Sequence, residues 1–266
     1  DIEGKEVLTY AIPDRENKFV VPVSILAVKK ANKTKYRLFR ENMHRLQEDV
    51  WGLNEYYPLH ANIKFDEKLK ILKIDVEKSN PYNRSLSTER IFKQFLSNTA
   101  QSLQLTKIAL TTEGRPGIKF SGLGTLQEIA PEELSGKYAY YFYYPNHSQT
   151  RPYIVPFGNE LTSVKDAFNA MKKNQKEANL QASIPKDIQF ETKENRENKT
   201  ITIRFTNGSK LSGDMSLYSL EAILLTAKEF EYDVVKLENA DIDRIGRFDL
   251  RRELQVPVAA NKIELP

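Results

Sequence analysis

The chain reads as one structural unit written twice, and that duplication limits its fold more than any other feature. Residues 7–10 (Val-Leu-Thr-Tyr), a polar turn at 14–18 and residues 19–22 (Phe-Val-Val-Pro) make a strand–turn–strand pattern. Residues 140–143 (Tyr-Tyr-Phe-Tyr), a polar turn at 146–150 and residues 153–156 (Tyr-Ile-Val-Pro) repeat it. Pro22 and Pro156 fall at the same place in the two copies. Proline has no N–H to give to a ladder, so each hairpin is expected to stop there or to lie on a sheet edge. Helical spacing follows in each copy. Residues 36–53 carry Leu38, Phe39, Met43, Leu46 and Val50; residues 164–176 carry Val164, Ala167, Phe168 and Met171, with Thr162 or Ser163 as N-cap.

Paired extended segments come next, 61–65 with 69–76 and 184–190 with 200–205. The alternation of Ile201, Ile203 and Phe205 turns one strand face to a core and the other to water. A second amphipathic helix is predicted at 88–103 (Ile91, Phe92, Phe95, Leu96, Thr99) and at 217–230 (Leu220, Ile223, Leu224, Ala227). Each runs into a strand, 107–111 or 233–238, and then into a glycine-bearing segment, 120–124 or 245–248. The pattern predicts an α+β fold of two tandem units, each a small mixed or antiparallel sheet packed with two helices. The units are placed at residues 1–131 and 138–266, with a polar Pro/Gly-containing joint at 131–137.

Composition narrows the function. A net charge of +4 over 266 residues, with acidic and basic residues interleaved, is a solvated surface and not a phosphate-tracking stripe, so nucleic acid is not expected as a partner. Cysteine is absent, which removes disulfides, thiolate metal sites and Cys nucleophiles together. No apolar run approaches the ~20 residues that span a bilayer. The chain begins at Asp1 with no leader, and is read as a piece whose signal or anchor lies upstream.

Candidate chemistry is sparse. His44, His60 and His147 have no Glu or second His at ligand spacing, and surface positions explain them better than a metal. Asp66–Glu67 and Asp241-Ile-Asp243 are adjacent carboxylates, whereas acid–base work needs two held across a cleft in unlike environments. Gly122-Leu-Gly124 lacks the third glycine and following helix of a dinucleotide loop, and Gly114–Gly117 reads as a turn. The tyrosines at 138, 140, 141, 143 and 144 fall on a predicted strand and are expected as core or cross-strand partners; Trp51 is expected as an edge plug. No catalytic, cofactor-binding or metal residue is assigned, and no cofactor is expected.

Residues 220–239 (with Leu-Leu-Thr-Ala-Lys-Glu-Phe at their centre), 245–249 and 256–261 resemble the C-terminal region of the Bacillus anti-sigma-X factor family, and residues 19–25 and 124–129 resemble its outer domain. The repeated unit is similar to the GerM domain of sporulation and germination lipoproteins. The first resemblance implies a single-pass Gram-positive membrane protein. In that family a cytoplasmic N-terminal region binds an extracytoplasmic-function (ECF) sigma factor, a transmembrane helix follows, and this module lies outside. The sigma-binding positions are not among these residues. The resemblance therefore implies a non-enzymatic outer module, anchored through an upstream segment and addressed by an envelope ligand or protein partner. A GerM-type envelope lipoprotein is the alternative, and a cell-wall hydrolase with an unconventional site is a third.

Overall fold

The structure, a computed structural model, describes residues 3–134, 136–146, 148–158, 161–211 and 215–265. It divides into two compact units: Asp1–Ser135 together with Asn261–Pro266, and Gly136–Ala260. Residues 261–266, which the repeat pattern carries with the second copy, thus group with the first unit.

Unit 1 opens with an antiparallel hairpin of β1 (Lys5–Pro13) and β2 (Val20–Val28). Its turn is organised by Asp14, 3 % exposed, whose carboxylate accepts the backbone N–H groups of Glu16 (3.1 Å), Lys18 (2.7 Å) and Phe19 (2.9 Å). One side chain thereby satisfies amides that burial would otherwise orphan. Pro22 does not stop the strand. The backbone of Ser24, two residues on, points away from β1, so the donor that Pro22 lacks lies on the outer edge and the hairpin ladder loses nothing. Pro156 sits likewise, opposite Tyr140, whose N–H points outward to Thr226 Oγ1 at 3.2 Å.

After α1 (Lys35–Asn42), capped by Thr34, the chain makes one 3₁₀ turn, Met43–Arg45, and extends at Leu46. The helix is shorter than the predicted 36–53. Glu48, 4 % exposed, takes the backbone N–H groups of Tyr56 and Tyr57 on its carboxylate and holds residues 46–57 as a loop. Val50, which a longer helix would bury, is 77 % exposed.

The main sheet joins β3 (Asn62–Asp66), β4 (Ile71–Val76) and β5 (Lys107–Thr112), antiparallel then parallel. The parallel pair is connected by α2 (Leu86–Ser102), whose capping box is Ser85 with Thr88. Ile91, Phe92, Phe95, Leu96 and Thr99 form its buried stripe, which meets β1, β2 and β5. Short strands follow: β6 (Arg115–Pro116), a hairpin of β7 (Ile118–Phe120) and β8 (Gly124–Leu126), and β9 (Glu128–Ile129), antiparallel to β5. Aromatic rings fill the core. Tyr10 stacks on Phe39 at 4.4 Å; Tyr57 links Tyr10 to Phe95; Phe92 stacks on Tyr82 at 4.6 Å and also meets Phe95 and Phe120.

Unit 2 repeats the plan. The hairpin is β10 (Ala139–Tyr143) and β11 (Tyr153–Phe157), followed by α3 (Val164–Ala170) with Ser163 as its N-cap. Then come β12 (Gln189–Asn195), β13 (Thr200–Thr206), α4 (Leu217–Glu229) capped by Ser216, and β14 (Val234–Glu238). A hairpin of β15 (Arg244–Ile245) and β16 (Phe248–Asp249) precedes β17 (Leu254–Gln255). The sheet β12–β13–β14–β17 pairs antiparallel, parallel, antiparallel, the same sequence of orientations as β3–β4–β5–β9. Two boundaries differ from expectation. Helix α3 ends before 176 because the Met171 carbonyl accepts Ser183 and Ile184 N–H groups, which breaks continuation of the helix. The strand predicted at 184–190 begins only at Gln189, because Ile188 N–H closes a turn onto Pro185. Among the described residues no helix is long and apolar enough to cross a membrane.

The duplication extends to one packing detail. Gly122 and Gly246, in the hairpin after each sheet, lie against the first leucine of each crossover helix. An added Cβ would come within 2.8 Å of Leu86 Cδ2 at Gly122 and 3.0 Å of Leu217 Cδ1 at Gly246, so each hairpin seats closely on its helix, and the positive φ of Gly246 (+55°) itself favours glycine.

Candidate functional site

The residues that sequence alone brings forward are scattered by the fold. His44 follows α1 on the surface and His60 is exposed ahead of β3; His147 lies outside the described residues. Among the described residues no group of three or more His, Cys, Asp or Glu could hold a metal ion. Asp66 accepts Leu69 N–H in a turn, and Glu67 accepts the Thr34 hydroxyl. Asp241 accepts Leu211 N–H while Asp243 lies 3.9 Å from Arg251. Neither carboxylate pair faces a shared cleft.

The Gly122–Gly124 loop has backbone donors of the kind that would cradle a phosphate, but they are already used. Glu89, on α2 and 2 % exposed, accepts Ser121 N–H, the Ser121 hydroxyl and Gly122 N–H. Burial pushes its pKa up, and these bonds outweigh burial and hold it below the ordinary glutamate value. Of the tyrosine run, Tyr140, Tyr141 and Tyr143 belong to β10, and Tyr138 and Tyr144 flank it; Tyr141 and Tyr143 are buried, and Tyr143 stacks across the hairpin on Tyr153 at 6.5 Å. Trp51 is half-buried in the loop after α1.

Two polar surfaces remain as candidate recognition sites. In unit 1 a cleft of about 520 Å³ lies where β3 begins and β4 ends, lined by His60, Asn62, Asp75, Glu77, Asn80 and Arg84. Asp75 is committed within it, accepting the Thr111 hydroxyl at 2.6 Å and Gly114 N–H at 2.9 Å. In unit 2 a shallow cleft of about 470 Å³ covers the solvent face of β12–β13–β14. Cross-strand register sets its chemistry. One row is Lys193–Thr202–Lys236, and the next is Glu191–Arg204–Glu238. The second row carries a net charge of −1; the first puts two ammonium groups beside a hydroxyl, Lys236 also pairing with Glu253 at 3.2 Å. The matching row of unit 1 is Lys64–Lys73–Ala109, so each copy presents two lysines on its open sheet face. These surfaces can bind through hydrogen bonds and charge.

Directly opposed like charges weaken a sheet. Replacing Lys64 by glutamate is therefore expected to stabilise unit 1 by about 0.5 kcal/mol, read as a higher urea midpoint in Trp51 fluorescence.

Sequence reasoning missed the buried carboxylates. Asp14, Glu48 and Glu89, and the half-buried Glu229, tie loops to elements by accepting backbone N–H groups. A detectable signal existed for Glu89, an acidic residue within the first turn of an otherwise apolar stripe. Glu229, the last residue of α4, is the most perturbed. Burial raises its pKa to about 7 against the Tyr138 N–H bond and the charges of Lys228 and Lys137, which pull it down.

A hairpin, a helix, a second hairpin, a crossover helix and a parallel strand, all occurring twice, define a tandem α+β fold. Residues 140–239 match the family described as sporulation and spore germination (Germane). The solved tandem GerMN domains of the sporulation protein GerM from Bacillus subtilis superpose with a TM-score of 0.69, covering 97 % of this chain and 99 % of that one at 15 % identity. Residues 1–129 match the central domain of the anti-sigma-X factor RsiX, and the RsiX protein of Bacillus subtilis (strain 168) is 24 % identical over 99 % of this chain and 70 % of its own length. The chain is thus similar to RsiX along its length and to the tandem GerM domains in fold.

Proposed function

We infer that this chain is the outer, regulatory module of a membrane-anchored anti-sigma factor that restrains an ECF sigma factor of the sigma-X type. The observation that carries the reading is the similarity to RsiX along 99 % of the chain, through both repeats. In this reading the sigma factor is held by another part of the full protein. The module here responds to an envelope ligand or protein partner, and such a signal acts only if it binds two states of the protein unequally.

The test is transcription from a sigma-X-type promoter in cells lacking the gene. The expected result is increased reporter output, restored to its basal level by the full-length gene. Unchanged output overturns the reading. The full-length match to tandem GerM domains favours a second reading, an envelope protein acting in sporulation, for which the same deletion would leave the reporter unchanged and lower the yield of viable spores.

A further inference from the structure

The first edge strand of each main sheet is guarded by charge. Strand β3 carries Lys64 and Asp66, and β12 carries Glu191, Lys193 and Glu194. Such residues discourage pairing with other chains. Strand β2, Val-Val-Pro-Val-Ser-Ile-Leu-Ala-Val, has no charged residue at all. Its outer edge is covered instead by a short piece of the chain's own C-terminal segment. Ser24 N–H donates to Asn261 O at 3.1 Å, Ile263 N–H donates to Ser24 O at 2.8 Å, and Asn261 Nδ2 donates to the Pro22 carbonyl at 2.8 Å. The bridge runs parallel, Ser24 opposite Lys262.

The cover is incomplete. Ser24 faces outward, so with the two-residue period of a strand Leu26 and Val28 also turn their N–H and C=O groups to that edge. Among the described residues these outward groups have no partner, and the Val28 side chain is 62 % exposed. From Ser24 onward the edge thus offers three outward residues, Ser24, Leu26 and Val28, of which the C-terminal segment engages one, while Asn261 also takes the outward carbonyl of Pro22.

We propose that the outer edge of β2 is an acceptor for an extended peptide segment of a partner protein, which adds as a parallel strand along Ser24–Leu26–Val28, and that residues 261–263 are a built-in competitor for its first position. Main-chain bonds give such strand addition its affinity, and apolar side chains at alternate positions give it specificity. A partner strand that continues to Val28 gains the main-chain groups of Leu26 and Val28, which the competitor leaves unused. The competitor itself shows what fits: an asparagine amide at the Pro22 carbonyl and an apolar residue two positions later. The proposal stands independently of the sigma-factor reading.

The experiment uses the full chain and a labelled synthetic peptide, Ala-Asn-Lys-Ile-Thr-Val-Thr-Val, followed by fluorescence anisotropy. The variant Ile263→Pro removes the donor to Ser24 O and releases the competitor. It is expected to bind the peptide about tenfold more tightly than the unmodified chain, because a self-occupied site lowers apparent affinity by its free fraction. Asn261→Ala, which removes the amide bond to Pro22 and leaves Ile263 in place, should fall between them. Bound peptide should slow amide hydrogen exchange at Leu26 and Val28, and a peptide N-methylated at its isoleucine should lose binding. Equal affinity for the three chains, equal affinity of the methylated peptide, or unchanged exchange at Leu26 and Val28 would each overturn the proposal. Concentration-dependent dimers of the unmodified chain that Ile263→Pro abolishes would also overturn it, by making a second copy the occupant.

Discussion

Replacing Phe92 by alanine is expected to destabilise unit 1 by about 3–5 kcal/mol, a large part of the ~5–15 kcal/mol that holds a typical domain folded. The ring is 1 % exposed and lies at the centre of the aromatic core, against Tyr82, Phe95 and Phe120. Its removal forfeits the transfer energy of the side chain and leaves a void that stiff neighbouring rings cannot close. Trp51 is the one tryptophan in the sequence and belongs to unit 1, so its fluorescence follows that unit alone. With a urea slope of about 2 kcal/mol per molar, the midpoint should fall by roughly 2 M. Val50→Ala is the control: at 77 % exposure it should move the midpoint little. A shift for Phe92→Ala no larger than the control's would mean that the rings are not a cooperative core.

The second large effect is a pH dependence centred on unit 2. The Glu229 carboxyl is raised to about 7 in the folded protein, so folding favours its protonated form. A raised carboxyl contributes stability that is fully present below the ordinary glutamate pKa and is lost as pH rises through about 7. Two opposing influences belong to the same site: Lys137 and Lys228 favour the charged form, while the C-terminal end of a helix disfavours it. Allowing for solvent at this half-buried group, unit 2 should lose about 2 kcal/mol between pH 5 and pH 8. Glutamine imitates the protonated carboxyl and can still accept Tyr138 N–H, so Glu229→Gln should flatten the profile and be the more stable chain at pH 8. Urea titrations followed through the NMR signals of Ile201, Ile203 and Leu224 report unit 2 directly. The other strongly shifted carboxyl of unit 2, Asp249, is held down at about 2 by Arg251 and acts only in much stronger acid. A wild-type profile that is flat or rises from pH 5 to pH 8 would contradict this account.

What the sequence made legible was whatever depends on local periodicity. The buried stripe Ile91–Phe92–Phe95–Leu96–Thr99, the alternation through Ile201, Ile203 and Phe205, and the Ser163 cap of α3 all survive in the structure, and with them the duplication and the α+β class. What escaped was set at a distance. Helix α1 stops at Asn42 although Leu46 and Val50 keep its spacing, because the Glu48 carboxylate finds its donors in Tyr56 and Tyr57. The parallel pairing of β4 with β5 joins Ile71 to Lys107 across a whole helix, and no local pattern distinguishes parallel from antiparallel there. The candidate surfaces were less legible still. Lys193 and Lys236 become neighbours of Thr202 only through register, and one residue of slip would send each to the opposite face.

The pairing of residues 261–263 with β2 also has a meaning in time. Ser24 is made early and its covering residue Asn261 is made 261 − 24 = 237 residues later. At about 5–20 residues per second, the uncharged edge of β2 stays open for roughly 10–50 s of every synthesis. The hairpin can fold in a minute fraction of that interval. Each new molecule therefore passes through a period in which this edge is formed and uncovered, available first to whatever extended chain is nearby and only afterwards to its own end.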